Sequence, residues 1–402
     1  MNIIRRPETC RFLLGLLPLL VATASHGATL EFRFADDASG SFQSRGWMAA
    51  DSLFQRNLRA AGARWGALIN STQTVVVKVV PNTTLPRFGG GMTFGSAVPR
   101  TDGLLEYQIG SLAKVLAGSN PGNATEDIVL TVNPAFSDQW YWPDTSPETR
   151  DIPVPTGKTD LVSIALHELG HGLGMSARRS FDAATYGDYY DNVRSPYDVQ
   201  TAYSGDGRPL SSTGQLNALY FTGPVARMAN GAQNLQLTFL AASSSQSSQN
   251  YSHIDCGTDN THRNTLMNGC QVPTDGSRLK TTLLDLAVIA DIGYPLHSVF
   301  FADTGTLLTA VPLTSGGATR MIAALLRLVD PANLILELDP RNISDSMMPN
   351  SDARFDAASG TATIDSMALN DSTAHYQVVL QLIPSTDAKL RFQVTSVRQV
   401  AF

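Results

Sequence analysis

The chain has 402 residues, of which 43% are hydrophobic and 16% charged, and its formal net charge at pH 7 is −6. This length predicts two or three domains with enough apolar material for a large core, and the composition excludes a collagen-like or disordered protein. An acidic chain without a basic stripe argues against nucleic acid as a partner.

The first 28 residues have the features of a secretory signal peptide. Arg5, Arg6 and Arg11 precede a short apolar run at residues 12–24, and small residues follow it. The alternative, a membrane anchor, needs about 20 apolar residues, and the run is shorter. We therefore predict a secreted or periplasmic protein that is cleaved within residues 24–28 and has no transmembrane segment once the signal is removed.

Signal removal also changes the cysteine content. Cys10 would leave with the signal, so the mature chain would keep Cys256 and Cys270. Two cysteines close in sequence in an exported protein predict a disulfide.

Strand and helix patterns alternate in the region that follows. Strands are predicted at residues 29–34, 74–80, 92–98 and 127–133, and helices at residues 47–70 and 109–118. This alternation indicates an α/β or α+β layer with a largely parallel sheet. The glycine run at residues 89–91 lacks the Lys-Ser/Thr ending of a phosphate-binding loop, so we interpret it as an ordinary loop.

The later segments are less regular. Residues 137–158 form a proline-rich loop and residues 178–250 lack a periodic pattern, whereas residues 279–296 predict a helix closed by Gly293 and Pro295. Beyond residue 298 the pattern changes to strands, with two weak repeats that begin at Phe301 and Phe355. We interpret this part as a small β-rich accessory domain in which His297 and His375 are structural.

The segment LHELGHGLGM, residues 166–175, contains the pattern His-Glu-x-x-His. On a helix, His167 and His171 lie one turn apart, within about 40° of each other around the axis. Apolar residues fall on the opposite side, so we expect both imidazoles to face open space. Glu168 lies beside them, within reach of a metal-bound water. The pattern predicts a zinc site with His167 and His171 as ligands and Glu168 as general base; a chance match is on the order of one in a hundred.

A catalytic zinc needs a third protein ligand. No Glu occurs between Glu168 and Glu337, which argues against a Glu ligand from a downstream helix. Gly174 can turn the chain back, because the residue after a helix end often has positive φ. Two histidines are then candidates, His253 and His262, and spacing alone does not choose between them. Polar neighbours favour a solvated loop for His262.

The motif HELGHGLGM, followed by YSHIDC, TLMNG and LLDLAVIADIGYP, resembles the leishmanolysin-like branch of the metzincin metallopeptidases. The resemblance covers residues 159–175 and 250–295 and leaves out the C-terminal repeats. It implies a mixed twisted sheet, an active-site helix, a methionine turn and a C-terminal helix. It also implies that a long insertion precedes the third ligand, His253, and that Met267 lies beneath the zinc. Gly269 departs mildly from the pattern, since relatives often have Pro there.

Together these features predict an α+β fold. Residues 1–28 are the signal peptide, residues 29–297 a metzincin-like catalytic domain, and residues 298–402 the small all-β domain. The predicted function is a secreted endopeptidase with one catalytic Zn²⁺, acting on proteins or peptides. The alternative is a catalytically weak zinc-containing protein that binds or adheres through its β-rich tail, which is also a candidate for contact with a surface or polymer.

Overall fold

The computed structural model describes residues 27–85, 89–101, 103–122, 124–142, 153–179, 189–203, 219–238, 251–256, 261–269, 276–315, 318–348 and 352–401. The chain is a mixed α+β protein that divides into two compact units. The α+β unit holds residues 28–66 and 71–294, and the C-terminal unit holds residues 67–70 and the chain from residue 295 onward. Almost all of the predicted signal peptide lies outside the described residues. None of the described helices has the length and apolar character that a bilayer crossing requires.

The α+β unit contains twelve of the strands found in the described residues. They are β1 (Thr29–Phe34), β2 (Thr74–Pro81), β3 (Gly89–Thr93), β4 (Gly95–Pro99), β5 (Leu105–Ile109), β6 (Ile128–Val132), β7 (Trp140–Tyr141), β8 (Thr159–Asp160), β9 (Val193–Arg194), β10 (Thr201–Tyr203), β11 (Leu219–Phe221) and β12 (Leu235–Gln236). Its helices are α1 (Leu53–Leu68), α2 (Gly110–Ala117), α3 (Leu161–Gly172), α4 (Pro196–Val199), α5 (Pro224–Ala229) and α6 (Leu283–Ile292). The elements between β9 and β12 lie in the segment for which the sequence predicted no regular structure.

The main sheet of this unit has the strand order β1-β2-β6-β3. β1, β2 and β6 are parallel, in agreement with the largely parallel sheet expected from the sequence, and β3 is an antiparallel edge strand paired with β6. Three consecutive valines of β2 are buried, as is typical of a strand covered on both faces.

The interpretation of residues 89–91 as a loop was wrong, because these glycines form the first part of β3. A Cβ atom on Gly91 would lie 1.7 Å from the backbone oxygen of Glu168 in α3. Glycine is a weak strand former, and it is found in strands where another backbone approaches closely. The glycine run therefore lets the edge strand lie directly against the helix that carries the His-Glu-x-x-His motif.

Two helices of this unit pack against the main sheet. α1 lies against β1, where a Cβ on Gly62 would meet the Phe32 ring at 2.4 Å. α3 lies against β6, where a Cβ on Gly172 would meet Ile128 at 2.5 Å. α1 is shorter than the predicted 47–70 helix, since it begins at Leu53.

The C-terminal unit is a small β-barrel. Its strands are β13 (Val299–Phe301), β14 (Thr306–Ser315), β15 (Ala318–Asp330), β16 (Ile335–Met347), β17 (Ala353–Asp356), β18 (Thr361–Leu369), β19 (His375–Ile383) and β20 (Leu390–Val400). The strand order is β13-β14-β15-β16-β20-β19-β18-β17, and the first strand, β13, also pairs in parallel with β18, next to the last strand.

The two sequence repeats cover matching parts of this barrel: residues 301–329 run from the end of β13 through β14 and most of β15, and residues 355–383 run from the end of β17 through β18 and β19. Gly305 and Gly360, the glycines of the two Gly-Thr pairs, have φ of 62° and 67°. Their carbonyls accept equivalent hydrogen bonds from the backbone N–H groups of Leu328 (2.7 Å) and Leu382 (2.8 Å). The same turn, which glycine favours because of its positive φ, therefore opens the long strands of both parts.

His297 and His375 are buried in the C-terminal unit, with ring centroids 4.8 Å apart. His297 Nδ1 lies 3.1 Å from an Asp352 carboxylate oxygen, and His375 Nδ1 lies 2.7 Å from the Ser366 hydroxyl. Burial, together with the neighbouring His297, lowers the pKa of His375 to about 3. His375 is therefore neutral over the physiological pH range.

Candidate metal centre

Helix α3 presents the His-Glu-x-x-His motif inside the α+β unit. Asp160 caps its N-terminus, where the carboxylate accepts the backbone N–H of Ser163 at 2.9 Å. The helix ends at Gly172, and Gly174, two residues later, has a φ of 101° and donates its N–H to the His171 carbonyl at 2.9 Å. The chain thus turns away after the second histidine in the way that the glycine predicted.

α3 is buried on nearly all sides, and His167 is only 9% exposed. Glu168 and His171 are half-buried. The expectation that the imidazoles face open space was wrong, because later segments of the same unit cover this face of the helix. Such buried polar rings need partners, since a buried polar group without one costs free energy.

The segment around His253 is one of those covering segments. Its backbone is held on two sides: the His253 carbonyl accepts from Thr238 N at 2.9 Å, and Ile254 N donates to the Met267 carbonyl at 2.7 Å. His253 is 7% exposed, so its ring is fixed inside the unit. These backbone hydrogen bonds therefore hold the residues that follow the long insertion next to the two helical histidines.

Three imidazoles meet at this point. His253 Nε2 lies 3.1 Å from His167 Nε2 and 3.2 Å from His171 Nε2, and all three nitrogens lie within 4.8 Å of one another. Zinc–nitrogen distances of about 2.0–2.1 Å in a tetrahedral site separate ligand nitrogens by roughly 3.3 Å. In the described part of the chain, these three residues form the only group of His, Cys, Asp or Glu side chains close enough to hold a metal ion.

The other ring nitrogens of the helical pair explain why the Nε2 atoms face inward. His167 Nδ1 lies 2.7 Å from the Leu266 carbonyl, and His171 Nδ1 lies 2.8 Å from the Met175 carbonyl. A carbonyl can only accept, so each Nδ1 carries a proton, and in the neutral form of the ring the inward-facing Nε2 offers a lone pair. Neutral imidazoles oriented by backbone carbonyls are the usual donors of a protein zinc site, so the residues present fit this metal.

Glu168 lies on the same helix, next to the first histidine. Its Oε2 accepts the backbone N–H of Gly91 in β3 at 2.8 Å. This contact depends on the close approach of the glycine strand, which the sequence did not predict. It holds the half-buried carboxylate of Glu168 against the edge strand.

Met267 packs against helix α3 next to the second histidine of the motif. Its side chain is 1% exposed, and its sulfur is the nearest atom to the position that a Cβ on Gly170 would occupy. Gly170 immediately precedes His171 on α3. The methionine therefore occupies the space that the glycine leaves on the helix.

Asp285 of α6 supports the turn that contains Met267. Its carboxylate accepts the backbone N–H groups of Leu266 and Met267, each at 3.0 Å, and both the backbone N–H and the hydroxyl of Thr282, the N-cap residue of α6. Burial raises the pKa of Asp285, and these hydrogen bonds oppose that shift. The sequence analysis did not identify this residue, although Thr-x-x-Asp before an apolar run is a visible capping-box pattern.

The remaining predicted residues lie outside the histidine cluster. His262 is half-buried, and its backbone carbonyl accepts a hydrogen bond from Thr265 N. It is not part of the three-histidine group. Cys256 is disulfide-bonded. Cys270 lies outside the described residues, so the pairing of these two cysteines stays a prediction.

Comparison with known proteins does not identify a family for this chain. No protein-family model, curated protein or solved structure matches the chain. The resemblance to the metzincins therefore rests on the motifs alone.

Proposed function

We propose that the protein is a zinc-dependent endopeptidase that hydrolyses peptide bonds in protein or peptide substrates. The observation that carries the proposal is the approach of His253 Nε2 to within 3.1 and 3.2 Å of the two helical Nε2 atoms. Glu168 lies on the same helix, next to His167 in sequence. Three neutral imidazoles leave one position of a tetrahedral ion for water or substrate, which is the arrangement of catalytic rather than structural zinc sites.

The roles of the residues follow from their chemistry. His167, His171 and His253 hold the ion through Nε2, and the carbonyls of Leu266 and Met175 keep the helical pair in the required tautomer. A zinc ion held there would lower the pKa of a bound water to about 7 and would polarise the substrate carbonyl.

Glu168 is the general base and acid of this proposal. Its carboxylate accepts the proton of the attacking water and then returns it to the leaving amine. The hydrogen bond from Gly91 to Oε2 orients the carboxylate, so the proton moves to and from a positioned oxygen.

The secretory pathway and the metzincin assignment belong to the same proposal. Support for export comes from the apolar run after the arginines and from the two cysteines that would remain in the mature chain. Support for the metzincin assignment comes from the order of four features along the chain: histidine helix, glycine turn, third histidine and methionine turn. The β-rich tail then adds contacts with substrate or surface to a catalytic unit.

The test compares wild type with Glu168→Gln in zinc content and in cleavage of a random peptide library. Glutamine keeps an oxygen that can accept the Gly91 N–H but cannot take a proton, so it separates the structural role from the chemical one. We expect normal zinc content and hydrolysis reduced by roughly 10²- to 10⁴-fold, the contribution of a general base. Glu31→Ala, at an exposed position of β1, is the control and keeps full activity.

Two outcomes would count against the proposal. Near-normal turnover by Glu168→Gln would contradict the role of Glu168. A wild-type protein that binds zinc and cleaves no peptide would support the alternative, a zinc-containing binding protein.

A further inference from the structure

A small pocket opens beside the metal centre, with a volume of about 70 Å³. It shares two residues with that centre, His171 and Gly91, whose N–H orients Glu168. Its other walls include Tyr107 of β5, Ser176 and Arg178. A substrate side chain next to the bond being cleaved is therefore within reach of this pocket.

Arg178 is the basic residue in the pocket wall. Its guanidinium carbon lies 4.4 Å from the centroid of the Tyr107 ring, close enough for a cation–π interaction. The Tyr107 hydroxyl donates to the Thr93 carbonyl at 3.0 Å, and the Arg178 backbone N–H donates to the Asp198 carboxylate at 3.1 and 3.2 Å. Both ends of the arginine are thus anchored, and its charged group has a defined place in the pocket.

The guanidinium has no carboxylate partner among the described residues. Asp198, the carboxylate that the Arg178 backbone contacts, is buried and is also engaged by Ser195 and by Arg179, whose Nε lies 3.9 Å away. Arg178 Nε is buried and makes no hydrogen bond. A buried donor without an acceptor is unusual in a folded protein, and at a pocket wall it can be satisfied by a ligand.

We propose that this pocket selects substrates with an acidic side chain, Asp or Glu, next to the scissile bond, and that Arg178 binds its carboxylate. The inference rests on the proposed peptidase function. The planar guanidinium matches a carboxylate with two parallel hydrogen bonds, which would include the unused Nε. The pocket is also smaller than the roughly 150 Å³ cavity that holds a benzene ring, which argues against a large aromatic side chain.

The test uses zinc-loaded mature protein and octapeptides that differ only by Glu or Gln, placed at each position in turn. Cleavage is measured as kcat/KM. Binding of the same labelled peptides is measured by fluorescence anisotropy in the Glu168→Gln background, so that the second readout does not depend on turnover. Arg178→Gln removes the charge, Arg178→Lys keeps it without the planar fork, and Arg227→Gln, at an exposed position of α5 outside the pocket wall, is the control.

At one peptide position we expect Glu to exceed Gln by roughly tenfold in both binding and kcat/KM, as for a charge-assisted hydrogen bond that replaces a neutral one. The ratio falls to about one in Arg178→Gln, is intermediate in Arg178→Lys and is unchanged in Arg227→Gln. Equal binding of Glu and Gln peptides at every position, or a preference that survives in both Arg178 variants, would overturn the inference.

The two readouts separate this inference from the proposed function. Cleavage without any Glu preference contradicts the inference and leaves the peptidase intact. Selective binding of Glu peptides with no cleavage supports the pocket and contradicts the peptidase.

Discussion

We expect that mutation of Asp285, which is not part of the histidine cluster, weakens zinc binding. It is fully buried, and one carboxylate oxygen accepts from Leu266 N, Thr282 N and Thr282 Oγ, while the other accepts from Met267 N alone. In Asp285→Asn the amide oxygen can replace the first oxygen, so the amide nitrogen then faces the Met267 N–H. One hydrogen bond is lost and one buried donor is left unsatisfied, which costs about 1–3 kcal/mol.

The lost hydrogen bond also weakens metal binding, because the turn that it supports orients His167. Its Nδ1 donates to the carbonyl of Leu266, so a displaced turn no longer orients the ring. Changes at such supporting groups reduce metal affinity by roughly 10- to 100-fold. We would measure urea unfolding of the metal-free protein and zinc affinity by competition with a chromogenic chelator.

Asp291→Asn provides a matched control. Asp291 lies on the same helix and accepts two backbone N–H groups, those of Val225 and Ala226, at 3.0 and 2.8 Å. We expect a comparable loss of unfolding free energy with unchanged zinc affinity. The reasoning is refuted if Asp285→Asn loses stability while zinc affinity stays at the wild-type value, or if both variants lose zinc affinity equally.

Three further predictions concern other parts of the chain. The pKa of His375 is about 3 in the folded protein and about 6.5 when unfolded, so the free energy of unfolding falls by up to about 1.4 kcal/mol per pH unit as the pH decreases from 6.5 toward 3. Urea titrations at several pH values should show that the unfolding free energy of His375→Gln depends less on pH, and an unchanged pH dependence would contradict the assignment. Gly91→Ala brings a Cβ to 1.7 Å from the Glu168 carbonyl, so β3 must shift, and both the melting temperature and peptide hydrolysis should fall; full activity would rule out the close contact. Thiol titration of the denatured, unreduced mature protein should find no free thiol at Cys256 or Cys270, whereas two reactive thiols would disprove the disulfide.

The sequence predicted the local part of the candidate metal site. His167, Glu168 and His171 follow from helical spacing, and Gly174 follows from the rules for helix ends, because these relations involve neighbours in the chain. The third ligand is not a local property. A long insertion separates it from the helix, and His253 was favoured over His262 by the family resemblance and by the polar neighbours of His262.

The parts that were missed depend on packing between distant segments. Residues 89–91 have the composition of a loop, and they form a strand because only glycine lets β3 approach α3 so closely. The capping box that contains Asp285 is visible in the sequence, but its bonds to the methionine turn depend on how α6 packs. The face of α3 was expected to be open because the sequence does not reveal which later segment covers it.

Zinc stoichiometry tests the central claim most directly. Wild-type protein, His253→Ala and His262→Ala would be purified, dialysed against a weak chelator and analysed for bound zinc per chain. The account predicts one zinc in wild type and in His262→Ala, and little or none in His253→Ala, since two imidazoles make a poor site. Retention of zinc by His253→Ala together with its loss from His262→Ala would contradict the three-histidine centre.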